Sequence, residues 1–413
     1  MPLAEEGLTI MSVCATVRVF SLLAGAIIAS PAPAKSLAIV DALVYPSATA
    51  APLPHAAVLM EDGRIVAVGE RIQIPADAEV IRCSGCAVMA GFWNCHIHFT
   101  EPKWENAAAQ PAQKLVEQLR SMLLRSGFTT VVDTASMLAN TAALRRRIES
   151  GEIPGPRILT AGVPIYPPDG VPYYVKESLP PAILAQIIPP RNPREAAAAA
   201  ELDIQNGADI IKLFTGSWIS RGSVLPMPEA IAKAAVTVAH KHHRLVFAHP
   251  SNLAGIKVAI SSGVDVLAHA PDDTRDVNDT VLREALANHM AMIPTFKLFS
   301  GATNIADIRR IVRRFHDLGG ELMFGTDTGY LTDYDVGEEF QQLGKMGLDT
   351  VEILRMLTEN PARRFGLQAE RGRIAPGMIA DVTILESDPA VDLAAFSHVR
   401  CVIRGGGVIY NSH

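Results

Sequence analysis

The chain has 413 residues, of which 49% are hydrophobic and 19% charged. This composition is typical of a globular protein with room for one large core and a smaller domain. A formal net charge of −6 gives no reason to expect nucleic acid or an anionic membrane as a partner. Two arginine clusters, Arg145–Arg147 and Arg309–Arg314, fall in amphipathic patterns and are interpreted as solvated helix faces, because a basic binding surface should extend across several elements.

Residues 1–34 are interpreted as an export signal. The apolar run VFSLLAGAIIA is followed by SPAPA, and about eleven apolar residues suit a secretory signal but are too few to span a bilayer. An Ala-x-Ala pattern at Ala32 and Ala34 predicts cleavage after Ala34. The acidic pair Glu5–Glu6 is unusual in such a signal, so translation from Met11 is an alternative start, and a buried strand or tail is an alternative interpretation. We expect an exported protein, periplasmic or secreted, with no stable membrane insertion after signal removal.

The cysteines give a weak signal. Cys83 and Cys86 form a single CxxC pair, whereas a structural zinc site needs two further ligands at matching spacing. A disulfide between Cys83 and Cys86 would suit an oxidising compartment, and two free thiols are an equal alternative.

Both ends of the mature chain have short apolar runs typical of β-strands. Asp62–Gly63 lies between two apolar runs and predicts a hairpin, because glycine tolerates the positive φ that such a turn needs. The C-terminal runs ADVTILE, VRCVI and VIY have the same strand-like pattern. The sequence therefore predicts a small β-sandwich domain built from residues 35–88 and 367–413.

The middle of the chain alternates between strand-like and helix-like segments. Eight apolar runs are each followed by a helix candidate: VMAGFWNCHIHF, FTTVVDT, PRILTAG, ADIIKLF, RLVFAH, VDVLAH, MAMIPTF and ELMFGTD. Eight such units predict an α/β fold, a (β/α)8 TIM barrel over residues 89–366. The Pro-rich segment Ile165–Arg191 follows the third strand and should form a long loop at the mouth of the barrel.

Polar side chains stand at the ends of five of these strands, where barrel enzymes place their chemistry. They are His96 and His98, Lys212, His249, His269 and Asp327. Because side chains alternate along a strand, His96 and His98 point the same way and can hold a divalent cation such as zinc. The next two histidines come from neighbouring strands and can hold a second cation, while Asp327 adds an oxygen ligand near the attacking water.

Lys212 needs a separate interpretation, because a protonated amine repels cations. Burial favours loss of its proton, and reaction with carbon dioxide would then give a carbamate able to bridge two metals about 3.5–4 Å apart. An ordinary solvated or ion-paired lysine is the alternative. Its place inside the apolar run ADIIKLF favours the ligand role.

These motifs together resemble the amidohydrolase superfamily. The resemblance rests on GFWNCHIHF, the strand-end lysine, the two later histidines, GTD at the eighth strand and the tail RGRIAPGMIADVTIL, and it covers nearly the whole mature chain. The most similar subgroup is the imidazolonepropionase-like and prolidase-like branch with a carboxylated lysine. The resemblance implies that His96, His98 and Asp327 bind the more buried metal and that His249 and His269 bind the outer one. It also implies that carboxylated Lys212 binds both metals.

The expected reaction is hydrolysis of a C–N bond in an amide, cyclic amide, or peptide-like or N-acyl amino acid substrate. Asp327 would act as general base and then as general acid. Seven residues are candidates for shaping the pocket: Trp104, Tyr166, Tyr173, Trp218, Arg221, Phe296 and Lys297. Arg221 or Lys297 could hold a substrate carboxylate. The lysine motif reads IKLFTGSW, which departs from the Gly-rich motif of prolidase-like members and weakens a transfer of dipeptidase specificity.

Three other functions are alternatives for this sequence. Lactone or phosphoester hydrolysis is the main alternative, since the same two-metal site attacks those bonds. Deamination is disfavoured because His249 is followed by Pro250, Ser251 and Asn252, with no acid in place. A non-catalytic scaffold should have lost ligands that this chain keeps. The expected partner is a small molecule, and a homo-oligomer is compatible with the sequence.

Overall fold

The computed structural model describes residues 36–412. The predicted export signal and the choice between Met1 and Met11 lie outside these residues. The strands are β1 Leu37–Val44, β2 Leu53–Glu61, β3 Arg64–Gly69, β4 Glu79–Arg82, β5 Ala87–Ala90, β6 Phe92–Phe99, β7 Phe128–Ser136, β8 Arg157–Thr160, β9 Ile210–Phe214, β10 Gly216–Ser220, β11 Ser223–Pro226, β12 Leu245–His249, β13 Val266–Leu267, β14 Ala291–Met292, β15 Glu321–Leu322, β16 Val382–Leu385, β17 Val399–Arg404 and β18 Gly407–Asn411.

Helices follow most of the central strands. They are α1 Ala112–Met122, α2 Leu138–Glu149, α3 Tyr173–Ser178, α4 Pro181–Leu184, α5 Pro193–Gln205, α6 Glu229–Lys241, α7 Leu253–Ser262, α8 Asp279–Ala287, α9 Ile305–Asp317, α10 Gly337–Lys345, α11 Thr350–Leu357 and α12 Glu359–Arg364, with short 3-10 turns at Pro102–Trp104, Leu124–Ser126 and Leu393–Ser397. Within residues 36–412, none of these helices has the length and apolar character needed to cross a membrane.

The two ends of the chain build one sheet. Its order is β18-β17-β16-β5-β1-β2-β3, and β4 pairs with β1 in parallel. The predicted hairpin joins β2 to β3, with φ values of 48° at Asp62 and 76° at Gly63. Val58, Val88 and Ile384 are fully buried in the core of this sheet. The strand pairing gives a single eight-stranded sheet, so a sandwich of two layers stays a prediction.

The eight central strands form two parallel sheets, β6-β7-β8 and β9-β12-β13-β14-β15. Hydrogen bonds join their edges: among them, the backbone nitrogen of Asp209 donates to the carbonyl of Thr160, and that of Cys95 donates to the carbonyl of Phe324, both at 2.7 Å. All eight predicted strands are present, but the ladders do not run continuously around a closed barrel.

The first predicted strand is two strands. Residues 88–99 divide at Gly91, where β5 belongs to the terminal sheet and β6 begins the central one. A Cβ atom at Gly91 would lie 2.2 Å from Thr129 Oγ1, so only glycine permits this close passage between the sheets.

The arginine clusters lie on helices, as expected. In α9, the apolar residues Ile308, Ile311, Val312 and Phe315 recur at helical spacing and are buried. Arg313 and Arg314 of the same helix pair with Asp317 and Asp279.

The cysteines of the described chain are buried free thiols: Cys83, Cys86, Cys95 and Cys401. The disulfide that the CxxC pair left open is therefore not formed. Instead, Arg400 Nη1 lies 2.8 Å from the sulfur of Cys86.

Candidate metal centre and cavity

Three of the predicted ligands meet directly at the carboxyl ends of the central strands. One potential ligand atom from each of His96, His98 and Asp327 lies within 4.8 Å of the others. Asp327 Oδ1 is 2.7 Å from His98 Nε2 and 3.3 Å from His96 Nε2. Tetrahedral ligands with bonds of about 2.0–2.1 Å are roughly 3.3 Å apart, as His96 and Asp327 are, whereas the shorter contact between His98 and Asp327 is a hydrogen bond.

The histidines are oriented by partners on their other ring nitrogen. Nδ1 of His96 lies 2.6 Å from the carbonyl oxygen of Ala268, and Nδ1 of His98 lies 3.1 Å from that of Ala135. Nε2 of His96 is buried and, within residues 36–412, has no hydrogen bond of acceptable geometry. A buried nitrogen with a free lone pair and a fixed ring is the arrangement that metal-binding histidines show.

The remaining predicted ligands surround this group. The ring centroids of His96 and His269 are 4.2 Å apart, and those of His269 and His249 are 4.5 Å apart. Lys212 is 2% exposed and, among the described residues, has no ion pair. Its ammonium group lies 5.9 Å from the centroid of the Phe214 ring.

The protonation states favour cation binding. Burial lowers the pKa of Lys212 to about 7, although the charge of Asp327 opposes this. Burial, and then repulsion from Lys212, holds the pKa of His249 well below its usual range, and burial does the same for His269. Burial opposes ionisation of Asp327, but His98 and His96 outweigh it and hold its pKa well below the usual range. Neutral imidazoles and a carboxylate are the forms that bind zinc.

The loop that carries Asp327 approaches β6 closely, and glycine makes this approach possible. Asp327 itself has a φ of +59°, and its backbone nitrogen donates to the carbonyl of His96 at 2.9 Å. Gly329 has a φ of +102°, and a Cβ atom there would lie 1.9 Å from the carbonyl oxygen of His98. Gly329, two residues after Asp327, therefore permits the close approach of this loop to the strand that carries the histidine pair.

This centre forms the floor of a cavity of about 830 Å³. His98, Lys212, His249, His269 and Asp327 face the cavity, while His96 lies beneath it. The walls are largely apolar and aromatic: Phe99, Met137, Val163, Pro164, Tyr166, Tyr173, Tyr174, Val175, Leu179, Pro180, Ile183, Ile187, Phe214, Trp218, Leu298, Phe299 and Tyr330. Much of this surface comes from the segment predicted as a long loop, which includes α3 and α4.

Comparison with known proteins agrees with this geometry. Residues 87–409 match the amidohydrolase family. The chain belongs to this family.

Ochratoxinase from Aspergillus niger is 24% identical over 435 residues, covering 93% of this chain and 88% of that protein. Dihydroorotase from Clostridium acetobutylicum is 24% identical over 416 residues, covering 86% and 94%. A crystal structure of a Xaa-Pro dipeptidase matches with a TM-score of 0.78 at 20% identity, covering 92% of this chain and all of that one.

The superfamily assignment made from the sequence is thus confirmed, and this amidohydrolase is an enzyme that acts on carbon–nitrogen bonds. Four of the predicted substrate residues line the cavity: Tyr166, Tyr173, Trp218 and Arg221. Arg221 is exposed at the turn between β10 and β11 and, within the described chain, makes no hydrogen bond or ion pair.

Lys297 does not line the cavity. Its ammonium group is buried in an ion pair with Asp333 and bonds to the carbonyl of Asp335, so it is not free to bind a substrate carboxylate. Trp104 and Phe296 are also core residues, exposed by only 1% and 0%.

Other residues of the amidohydrolase site were not predicted from the sequence. Thr295 Oγ1 lies 2.8 Å from Nδ1 of His269 and so fixes that ring. Trp218 donates to Asp272 at 2.9 Å, while burial raises the pKa of this carboxyl group to about 6. Tyr330 follows the GTDTG motif and packs against Tyr174 across the cavity. Thr295 and Asp272 lie close to the ends of predicted strands, and this position could have identified them as candidates.

Proposed function

We propose that this enzyme hydrolyses the amide bond of a peptide-like or N-acyl amino acid substrate that has a bulky apolar group, using two divalent cations, most simply zinc. The observation that carries this proposal is the convergence of His96, His98 and Asp327 on the floor of a deep apolar cavity. We interpret the eight central strands as a (β/α)8 barrel whose carboxyl ends carry the site.

The proposal assigns the cations to two positions. His96, His98 and Asp327 would hold the inner one, and His249 and His269 the outer one. Lys212, carboxylated by carbon dioxide, would contact both. Its burial and its lack of an ion pair in the described chain support this role, since a neutral amine reacts with carbon dioxide. Divalent cations bound here would supply a nucleophile at neutral pH and polarise the scissile carbonyl.

The protein's own groups complete the reaction. Asp327 is anionic and adjoins the floor of the cavity, so it can take the proton of the attacking water and deliver it to the leaving nitrogen. The apolar walls exclude water from the scissile bond and strengthen the electrostatic interactions at the floor.

The cavity also supports the proposed substrate class. Aromatic and aliphatic walls favour an apolar group, and Arg221 at the rim offers an unpaired guanidinium to a substrate carboxylate. The similarity to an ochratoxinase and to a Xaa-Pro dipeptidase adds support for amide substrates of this kind. Export remains part of the proposal and agrees with scavenging or detoxification outside the cytoplasm.

A substrate panel tests the proposal. Zinc-loaded protein is assayed on N-acyl amino acids with small and aromatic acyl groups, on dipeptides, on lactones and on a phosphotriester. We expect the highest kcat/KM on an aromatic N-acyl amino acid, and a loss of about 10²–10⁴-fold in kcat for Asp327→Asn. A preference for lactones or phosphotriesters, or unchanged turnover by Asp327→Asn, would reject the proposal.

A second experiment addresses Lys212. Lys212→Ala should lower the zinc content from two ions to about one per chain, and short carboxylic acids should restore part of the activity because they supply the missing oxygens. Lys233→Ala, on the exposed side of α6, is the matched control. Retention of two tightly bound ions by Lys212→Ala would exclude the bridging role.

A further inference from the structure

A second cavity lies at the opposite ends of the central strands. It has a volume of about 330 Å³ and is lined by Arg157, Leu159, Asp209, His243, Arg244, Leu245, Arg364, Phe365, Gly366 and Leu367. Arg157 begins β8 and Arg244 directly precedes β12, whereas His249 at the other end of β12 faces the first cavity. Leu245 of the second cavity and His249 of the first are four positions apart along β12, or about 13 Å.

The charges that line this second cavity are not balanced. Arg364 is paired, since its Nε donates to Glu321 at 2.9 Å. Asp209 is the single acidic residue of the lining, and its carboxylate is already bonded to Arg145 at 2.5 Å and to the backbone nitrogen of Thr160 at 3.0 Å. The carboxylates of Glu149 and Glu370 also act on Arg157, but from beyond ion-pair distance.

Two guanidinium groups are left without partners. Within residues 36–412, Arg157 makes no side-chain hydrogen bond and no ion pair within 4.0 Å, and Arg244 makes none either. Nε of Arg244 is moreover buried and unsatisfied. Burial lowers the pKa of Arg157, although Asp209 opposes this. A partly buried cation without a close counter-ion is costly, so the arrangement favours the entry of an anion.

We propose that this second cavity binds a small phosphate monoester between Arg157 and Arg244. Guanidinium groups bind phosphate oxygens through paired hydrogen bonds, which suits two arginines that line the same cavity. Leu245, Phe365 and Leu367 line the same cavity and offer an apolar surface for the organic part of the ester. The site is independent of the hydrolytic centre and of the function proposed for it.

The experiment measures binding of inorganic phosphate and of phenyl phosphate to the zinc-loaded full chain by calorimetry, with Tm as a second readout. At a ligand concentration 100 times Kd, Tm should rise by roughly 3 °C. Phenyl phosphate should bind more tightly than inorganic phosphate, because only the ester uses the apolar surface. Equal affinities would identify the free ion as the ligand and would overturn the ester assignment.

Variants locate the binding site. Arg157→Met and Arg244→Met should each weaken binding at least tenfold, whereas Arg157→Lys and Arg244→Lys should weaken it less. Arg194→Met, on the exposed face of α5, is the matched control and should bind as the wild type does. Hydrolytic activity, which all variants should keep, verifies that they are folded. Absence of binding by the wild type at 10 mM of either ligand, or equal binding by both methionine variants, would refute the proposal; the latter result would assign the anion to the metal centre.

Discussion

Gly329→Ala should damage the metal centre without touching any proposed ligand. The added Cβ would lie 1.9 Å from the carbonyl oxygen of His98, although real Cβ atoms essentially never come closer than 3.0 Å. That oxygen belongs to the backbone of β6 and cannot rotate away. The strand that carries His98 and the loop that carries Asp327 must therefore separate by about 1 Å.

Two effects contribute, and a control distinguishes them. The φ of +102° strains any residue with a side chain by about 1–2 kcal/mol. Gly377 has a φ of +88° and nothing within 4 Å of its Cβ position, so Gly377→Ala bears the backbone strain alone. The steric overlap is specific to Gly329, and a displacement of about 1 Å at an active site can cost 10²-fold in rate.

The assay compares kcat/KM and zinc affinity for the two variants. We expect Gly329→Ala to lose about 100-fold in kcat/KM and to bind zinc more weakly, while Gly377→Ala keeps both and loses only stability. Comparable kcat/KM and zinc affinity in the two variants would show that the close contact between this loop and β6 does not position the ligands.

Three further outcomes follow from the structure. Thr295→Ala removes the partner of His269 and should weaken zinc binding 10–100-fold in a metal titration, whereas Thr237→Ala on the surface of α6 should not. Burial raises the pKa of Glu339 to about 8, so its contribution to stability is complete below about pH 4.5 and is lost as the pH rises to about 8. Glu339→Gln should therefore flatten the fall in the free energy of unfolding over this range, by up to roughly 5 kcal/mol, and an unchanged slope would contradict the assignment. Removal of metal by a chelator should lower Tm and zinc should restore it, since the buried His96 and Asp327 and the partly buried His98 would lose their common partner; an unchanged Tm would argue against a resident cation.

The sequence was most informative where structure follows local periodicity. Alternation of apolar runs and helical patterns located all eight central strands, and the Asp62–Gly63 turn joins two strands as expected. The i, i+2 spacing of His96 and His98 predicted a shared direction, and their Nε2 atoms both approach Asp327. These features depend on a few neighbouring residues and on backbone geometry, so they can be recognised without tertiary contacts.

The sequence was not sufficient where a side chain has several possible partners. Lys297 stood next to a predicted strand end, as a substrate-binding residue would, yet its ammonium group pairs with Asp333, which lies 36 positions along the chain. The apolar run of residues 88–99 appeared continuous, and the close passage of Thr129 at Gly91 divides it between two sheets. Each of these outcomes depends on a residue that is distant in sequence.

The amino-acid sequence by itself determined which chemical groups are available here. Local patterns of apolar and polar residues identify the candidate ligands and their positions at strand ends. The tertiary structure decided which of those groups share a cavity, how Thr295 orients a histidine, and that Arg157 and Arg244 line one cavity without a close counter-ion. Distance and burial between remote segments depend on packing of the whole chain, and no local pattern specifies them.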